Sequence, residues 1–374
     1  MKKETTPDPK TETDKKYSSN LFALFIKTNL LAIFFTLVLF LVTALAAGAW
    51  GYTKLNKFSQ AAGISISELR TKIEEGLRQE PIQTNNHKNI LLLGVDSLSG
   101  RGDAPPLTDT IMLMSVDLET GKINTLPLPR DLWSQEYKTK INALYFYGLE
   151  KYPDQPEKFT KETIEEMTDL EIHHTLVLSL DKLEELIDLL GGISVNVPVG
   201  FTDEEFPRPG VDVAVERDPK ILYQTISFEE GEQTLSGEKA LQYIRSRHSD
   251  GDEGTDISRG DRQQLVIKAI FNKLMNIKQY VKNPELAGKI YRFYDDDFSS
   301  VFPLEEIIST GKNLVNKRDQ ITIKGHQLST TKEDPKTGAL DNPRPSYLYQ
   351  NQWVYVINDQ DLFEQEIKNS LFNN

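Results

Sequence analysis

Residues 89–116, NILLLGVDSLSGRGDAPPLTDTIMLMSV, set two short apolar runs on either side of a polar loop rich in glycine and proline. NILLLGV and TIMLMSV read as buried or half-buried strands, and GKIN (residues 121–124) predicts a turn into a third. Further on, LSLDKLEELIDLLGG predicts a helix with Asp181 as its N-cap, Leu183, Leu186, Ile187 and Leu190 on one face, and Gly191 as the stop. ISVNVPV follows as a strand, a second helix starts near Ser236, and a third after Arg262 carries Val266, Ile267, Ile270, Phe271 and Leu274 at helical spacing. Strands interleaved with helices mean an α/β domain from Asn89 onward. The tail adds a helix at PLEEIISTGKNL, a strand at WVYVI and a last helix at DLFEQEIKNSLF. The DDD at 295–297 is expected to precede a helix and cap it.

Upstream, LLAIFFTLVLFLVTALAAGAW (residues 30–50) runs without a charge for long enough to cross a hydrocarbon core of about 30 Å, and exceeds a signal-peptide core of roughly 7–15 residues. Lys2, Lys3, Lys10, Lys15, Lys16 and Lys27 precede it, so residues 1–29 are expected to be a cytoplasmic tail and everything after Trp50 extracytoplasmic. Residues 51–87 read as a juxtamembrane stalk, with Leu69, Ile73 and Leu77 at four-residue spacing before Pro81. Residues 88–374 read as the folded catalytic part.

The formal charge of −13 argues against a whole-surface attraction to nucleic acid or anionic lipid, so any anion site must be built locally. The absence of cysteine removes disulfides, thiol chemistry and Cys-ligated zinc. Neither G-x-S-x-G nor G-x-x-x-x-G-K-[ST] occurs. His173 and His174 are adjacent and point to opposite sides of a strand, a poor metal pair.

Local anion chemistry is concentrated in IRSRHSDGDEGTDISRGDRQQ (residues 244–264). Arg245 and Arg247 share a face if extended, and Arg259 and Arg262 do so at a helix start. Forked guanidinium donors and the positive end of a helix match a pyrophosphate; the same spacing also fits a solvated network with Asp250, Asp252, Glu253, Asp256 and Asp261. Asp96 lies immediately beyond the first strand and Asp109 immediately before the next, a carboxylate pair suited to Mg²⁺ beside phosphate, though either also fits a turn or cap. LPLPRDL puts Arg130 and Asp131 just after the third strand.

Taken together, LLLGVD, TDTIML, PLPRDLW, KINALYFYG, LIDLLGGISVNVP, GEQTLSGEKALQYIRSRH and DISRGDRQQ resemble, in order, the LytR-CpsA-Psr family of bacterial envelope proteins, from Asn89 to Leu274. The resemblance implies a three-layer α/β/α sandwich with a central mixed β-sheet and a hydrophobic lipid-binding tunnel. It implies transfer of an anionic glycopolymer, of the teichoic acid or capsule type, from a polyprenyl-pyrophosphate carrier to a peptidoglycan hydroxyl, with no nucleotide. The family's pyrophosphate-binding positions fall on Arg130, Arg245, Arg247, Arg259, Arg262 and Gln263, and its magnesium-associated aspartates on Asp96 and Asp109. Arg130 and Arg259 would also act in catalysis, with Asp131 or Asp256 as proton acceptor. Removal of Arg130 or Arg262 is expected to leave folding nearly intact while lowering transfer. Ser97 stands where the family often has arginine, with Arg101 nearby, and DIS where DFG is common. A polyprenyl-pyrophosphate hydrolase and a noncatalytic carrier-binding or regulatory membrane protein are the alternatives.

Overall fold

The computed structural model describes residues 36, 38–96, 106–211, 216–249, 251–331 and 338–373, without the side chains of 251, 252, 256, 257, 318 and 319. The expected tail, the first residues of the expected span, Ser97, Arg101 and Asp250 lie outside the described residues.

Among the described residues one helix, α1 (Val38–Ala62), is long and apolar enough to cross a membrane. It runs twelve residues past the expected end of the span at Trp50, so the first part of the stalk continues the same helix. The rest of the stalk is α2 (Ile66–Arg78), capped by the Ser65 hydroxyl. The chain then forms β1 (His87–Val95), β2 (Thr108–Asp117) and β3 (Lys122–Pro127), where Gly121 takes the positive φ that the turn requires. A small hairpin of β4 (Trp133–Ser134) and β5 (Thr139–Lys140) leads into α3 (Leu144–Lys151) and α4 (Glu157–Thr168). Next come β6 (His174–Ser179), α5 (Leu180–Leu189), β7 (Ile193–Val197), β8 (Phe201–Pro207), α6 (Pro219–Leu222), β9 (Tyr223–Phe228) and β10 (Gly231–Leu235). The arginine-bearing segment holds α7 (Gly237–Arg245) and α8 (Asp256–Leu274), followed by α9 (Ile277–Lys282), α10 (Pro284–Asp297), α11 (Leu304–Leu314), β11 (Thr322–Gly325) and α12 (Gln360–Phe372).

The central sheet has the order β11-β3-β2-β1-β6, antiparallel in the middle and parallel at β1/β6 and β11/β3, hence mixed as expected. Alternation along β1 divides its two faces. Leu91 and Leu93 pack with Ile111, Leu113 and Leu126 under Ile164 of α4 and Phe363 and Ile367 of α12. Leu92 and Gly94 face the other layer, where α5, α8 and α10 cover the sheet across a cavity.

Three local expectations are corrected. The α5 N-cap is Ser179, whose hydroxyl accepts from Lys182 N–H at 3.2 Å, while Asp181 sits inside the first turn, where a carboxylate favours the helix dipole. Asp295–Asp297 close α10 at its C-terminus instead of capping a following helix, and Asp297 is held there by Lys182 at 3.2 Å. In WVYVI, only Val356–Ile357 forms a short strand, paired with Leu340–Asp341.

At the base of β1, Lys88 is fully buried, bonded to the Glu306 carboxylate of α11. His174 beside it donates Nδ1–H to the Val301 carbonyl at 2.8 Å and stacks on Phe302, leaving Nε2 3.5 Å from the Lys88 ammonium. Burial pushes the His174 imidazole down, and does the same to His87, His173 and His326. The unfolded chain therefore binds protons that the folded one refuses. This stability is present above the ordinary imidazole value of about 6.5 and is lost as the pH falls from there through the lowered folded values. Carboxylates that the fold holds low, such as Asp109 and Asp203, act only below about 4. The unfolding midpoint is thus expected to drop between pH 7 and 5, and less steeply in His174→Gln, as read by scanning calorimetry; identical slopes would remove His174 from this account.

Candidate functional site

Three cavities adjoin one another, the first against the face of the central sheet and the others past the ends of β1 and β3. The first holds about 1380 Å³ of atom-free space with almost wholly apolar walls, including Leu92 and Leu176 from the sheet, Leu183 from α5, Ile270 from α8 and Phe293 from α10. It shares Gly94, Thr110, Leu180, Ile244 and Gln263 with a second cavity of about 820 Å³, into which Asp96, Asp109, Arg245, Arg247 and Arg259 converge. At this neck Gly94 is required for space, since a Cβ there would lie 2.8 Å from Thr110 Cβ. The third cavity, about 670 Å³, shares Asp109, Arg259 and Gln263 with the second and adds Arg130 and Asp131 after β3, with Gln327, Thr330 and Tyr355 from the C-terminal region.

The helix α8 joins these spaces. Its N-cap is Thr255, whose hydroxyl accepts from Ser258 N–H at 3.2 Å, so the helix begins at Asp256, ahead of its expected start after Arg262. Steps of three and four residues then line up Arg259, Gln263, Val266, Ile267, Ile270 and Leu274 on one face. Arg259 reaches the two arginine-bearing cavities, Gln263 lines all three, and the apolar members line the first.

Asp109 is the electrostatic centre. Burial alone would raise its carboxyl, but Arg130, donating at 2.6 Å, together with the nearby Arg247 and Arg259, holds it below the usual carboxylate range. Arg130 also lies 3.6 Å from Asp131, which in turn accepts from Lys140 at 2.7 Å. Arg245 and Arg247 reach the second cavity without the extended pairing expected of them. Arg245 is the last residue of α7, its guanidinium 5.8 Å from the Phe206 ring centroid, and Arg247 lies in the loop that follows.

That loop is held by Asp203 of β8, a residue the sequence reading missed. Its buried carboxylate accepts from Ser246 Oγ at 2.7 Å, Arg247 N at 3.1 Å and His248 N at 3.2 Å. Burial would raise this carboxyl, and these bonds instead hold it low. Asp203 sits in FTDEEFP, a charged strand more than forty residues from the loop it holds, so only tertiary structure reveals it.

Arg262 faces elsewhere. It is 2% exposed, donates Nε to the Tyr243 carbonyl (2.8 Å), Nη2 to the Ser246 carbonyl (2.7 Å) and Nη1 to Glu253 O and Oε2 (2.7 and 3.1 Å), and lies 4.9 Å from the Phe201 ring centroid. It lines none of the three cavities. The expectation that its removal spares folding is therefore corrected, because removal would orphan buried carbonyls that have no access to water. Asp256 opens α8, but its side chain lies outside the described residues.

Asp96 and Asp109 line the same cavity, and among the described residues no group of three or more His, Asp or Glu side chains gathers to hold a metal ion. Two carboxylates fit Mg²⁺, which completes its shell with water and phosphate oxygens.

Comparison with known proteins agrees with this architecture. The chain is 28% identical over 280 residues to the polyisoprenyl-teichoic acid–peptidoglycan teichoic acid transferase TagU of Oceanobacillus iheyensis, covering 73% of this chain and 72% of that one. It is 26% identical over 310 residues to TagU of Bacillus subtilis, covering 82% and 88%. Among solved structures, B. subtilis TagV superposes with a TM-score of 0.51 at 21% identity, over 77% of this chain and 98% of that one, a likeness of fold. The LytR_cpsA_psr family profile matches residues 51–368, and the chain belongs to that family.

Proposed function

We propose that this protein is a phosphotransferase that moves an anionic glycopolymer, of the teichoic acid or capsule type, from a polyprenyl-pyrophosphate carrier to a peptidoglycan hydroxyl. The observation that carries this reading is the continuity of an apolar cavity with an arginine-lined one along a single face of α8. An amphiphile with a long hydrocarbon tail and a diphosphate head matches that sequence of surfaces. The names of the TagU relatives support the choice of donor and acceptor.

In this mechanism the tail lies in the apolar cavity and Arg245, Arg247 and Arg259 bind the diphosphate. The acceptor hydroxyl attacks the phosphorus bearing the polymer. A new O–P bond forms, the P–O bond to the lipid-side phosphate breaks, and polyprenyl phosphate leaves with the bonding pair. Arg259 and Arg130 meet the charge that grows on the nonbridging and leaving oxygens. Asp131, whose side chain lines the third cavity, takes the hydroxyl proton. Mg²⁺, held by Asp96 and Asp109, would neutralise phosphate charge when bound. Asp203 and Arg262 position the arginine loop without touching substrate.

The carrier already contains the bond to be exchanged, so the reaction needs no nucleotide. It is assigned to the outer membrane surface, with α1 as anchor, residues 1–29 cytoplasmic and residues 88–374 as the extracytoplasmic catalytic part.

The test is incubation of the full chain in detergent with a synthetic polyprenyl-pyrophosphoryl oligosaccharide and peptidoglycan fragments, with and without Mg²⁺, followed by mass spectrometry. A phosphodiester-linked sugar on the glycan is the expected product, and its yield is expected to fall on chelation. Free sugar phosphate alone would make the protein a hydrolase, and intact bound lipid a carrier-binding protein.

A further inference from the structure

The membrane-proximal end of the described chain carries a surface that the reaction does not use. Leaving the apolar run at Trp50, α1 continues upward beside α10 in a parallel register. The Lys54 ammonium donates to the Lys282 carbonyl at 3.0 Å, Lys57 pairs with Glu285 at 3.3 Å, and the backbone at Phe58 and Ala62 packs onto Gly288. A Cβ on Gly288 would lie 2.5 Å from the Phe58 carbonyl oxygen, so the two helices touch backbone to backbone there. Because both helices climb together, α9, which precedes α10, lies on the side nearest the bilayer. Lys54 is four residues beyond Trp50, about 6 Å along the helix axis, and the headgroup layer of one leaflet is roughly 5–7 Å thick. The end of α9 therefore falls at headgroup height.

One side of α9 is pinned inward, with Gln279 Nε2 and the Tyr280 hydroxyl both donating to the Lys273 carbonyl, at 2.9 and 3.1 Å. The other side presents Ile277 (60% exposed) and Val281 (57% exposed), one turn apart, flanked by the exposed Lys278 and Lys282. Apolar side chains interleaved with lysines, beside an interfacial tryptophan, suit a surface that is oily beneath and anionic on top. That such a patch exists on a chain of formal charge −13 makes the local cation cluster the more specific signal. Leu274, which lines the apolar cavity, is three residues from Ile277.

We propose that α9 is a lip seated in the anionic headgroup layer, with Ile277 and Val281 dipping toward the acyl chains and Lys54, Lys278 and Lys282 meeting lipid phosphates, so that the Leu274 end of the apolar cavity rests on the bilayer. The inference rests on the assignment of α1 as a membrane anchor, not on the transfer chemistry.

The test exploits the absence of cysteine. The full chain is reconstituted in nanodiscs with one cysteine carrying an environment-sensitive fluorophore, and quenching by a lipid-borne quencher is measured. Leu41→Cys reports the span, Ile277→Cys the lip, and Tyr347→Cys a remote exposed site. Position 277 is expected to be quenched at least threefold more than 347 in phosphatidylglycerol discs, less in phosphatidylcholine discs, and less again when Lys278→Gln and Lys282→Gln are added. Quenching at 41 with equal signals at 277 and 347, or a signal at 277 indifferent to lipid charge and to the lysines, would overturn the lip. Absence of quenching at 41 would remove the anchor and the lip with it.

Discussion

Arg259→Ala is expected to lower transfer by roughly 10²–10³-fold, the usual cost of removing one preorganised donor aimed at developing charge, while leaving the fold intact. Arg259 lines both arginine-bearing cavities and is among the charges that hold Asp109 low, and the proposed mechanism seats the diphosphate against it. The loss should appear mainly in kcat, because an interaction that tightens as charge develops counts more in the transition state than in the bound carrier. Arg259→Lys should recover only part of it, since an ammonium cannot span two phosphate oxygens as a fork does. Single-turnover transfer assays beside a melting curve separate the effects. Near-normal transfer by folded Arg259→Ala protein would exclude the assigned role.

Three residues along the same helix, Arg262→Ala is expected to act through stability. The substitution strips donors from the Tyr243 and Ser246 carbonyls and from Glu253, and empties the space beneath Phe201. Leaving the buried Tyr243 and Ser246 carbonyls without a donor costs about 1–3 kcal/mol for each, the partly exposed Glu253 carboxylate adding less, and each kcal/mol lowers the unfolding midpoint of a domain this large by on the order of 2 °C. Arg262→Met, which keeps the bulk and loses the donors, should destabilise nearly as much. If calorimetry found either variant as stable as the parent, the bonds described here would not be holding the loop. Any loss of transfer should track the fraction unfolded or the displacement of Arg247.

These two arginines show where sequence stops being informative. Both stand in DISRGDRQQ, both lie in the first two turns of α8, and spacing alone gives them one role. What separates them is what lies around each: the Tyr243 and Ser246 carbonyls and the Glu253 turn around one, two cavities and the Asp109 carboxylate around the other. The strands, by contrast, were legible because NILLLGV and TIMLMSV are short continuous apolar runs bounded by a Gly- and Pro-rich loop, the pattern of strands covered on both faces. The carboxylate pair at Asp96 and Asp109 was legible because both adjoin the apolar runs, although Asp109 lies inside β2 and not before it. Asp203, Lys140, Gln327, Thr330 and Tyr355 carry no local signature. They reach the site through chain crossings that periodicity does not encode.

The single stripe on α8 has a further consequence. Arg259 and Leu274 are fifteen residues apart on one helix, about 22 Å, so the distance from the proposed diphosphate position to the Leu274 contact is fixed by helix geometry. A carrier held at its head is thereby measured along its tail. Prenyl chains shorter than that distance forfeit the contacts at Ile270 and Leu274, longer ones gain little more, and the enzyme should show a chain-length threshold rather than a gradual preference.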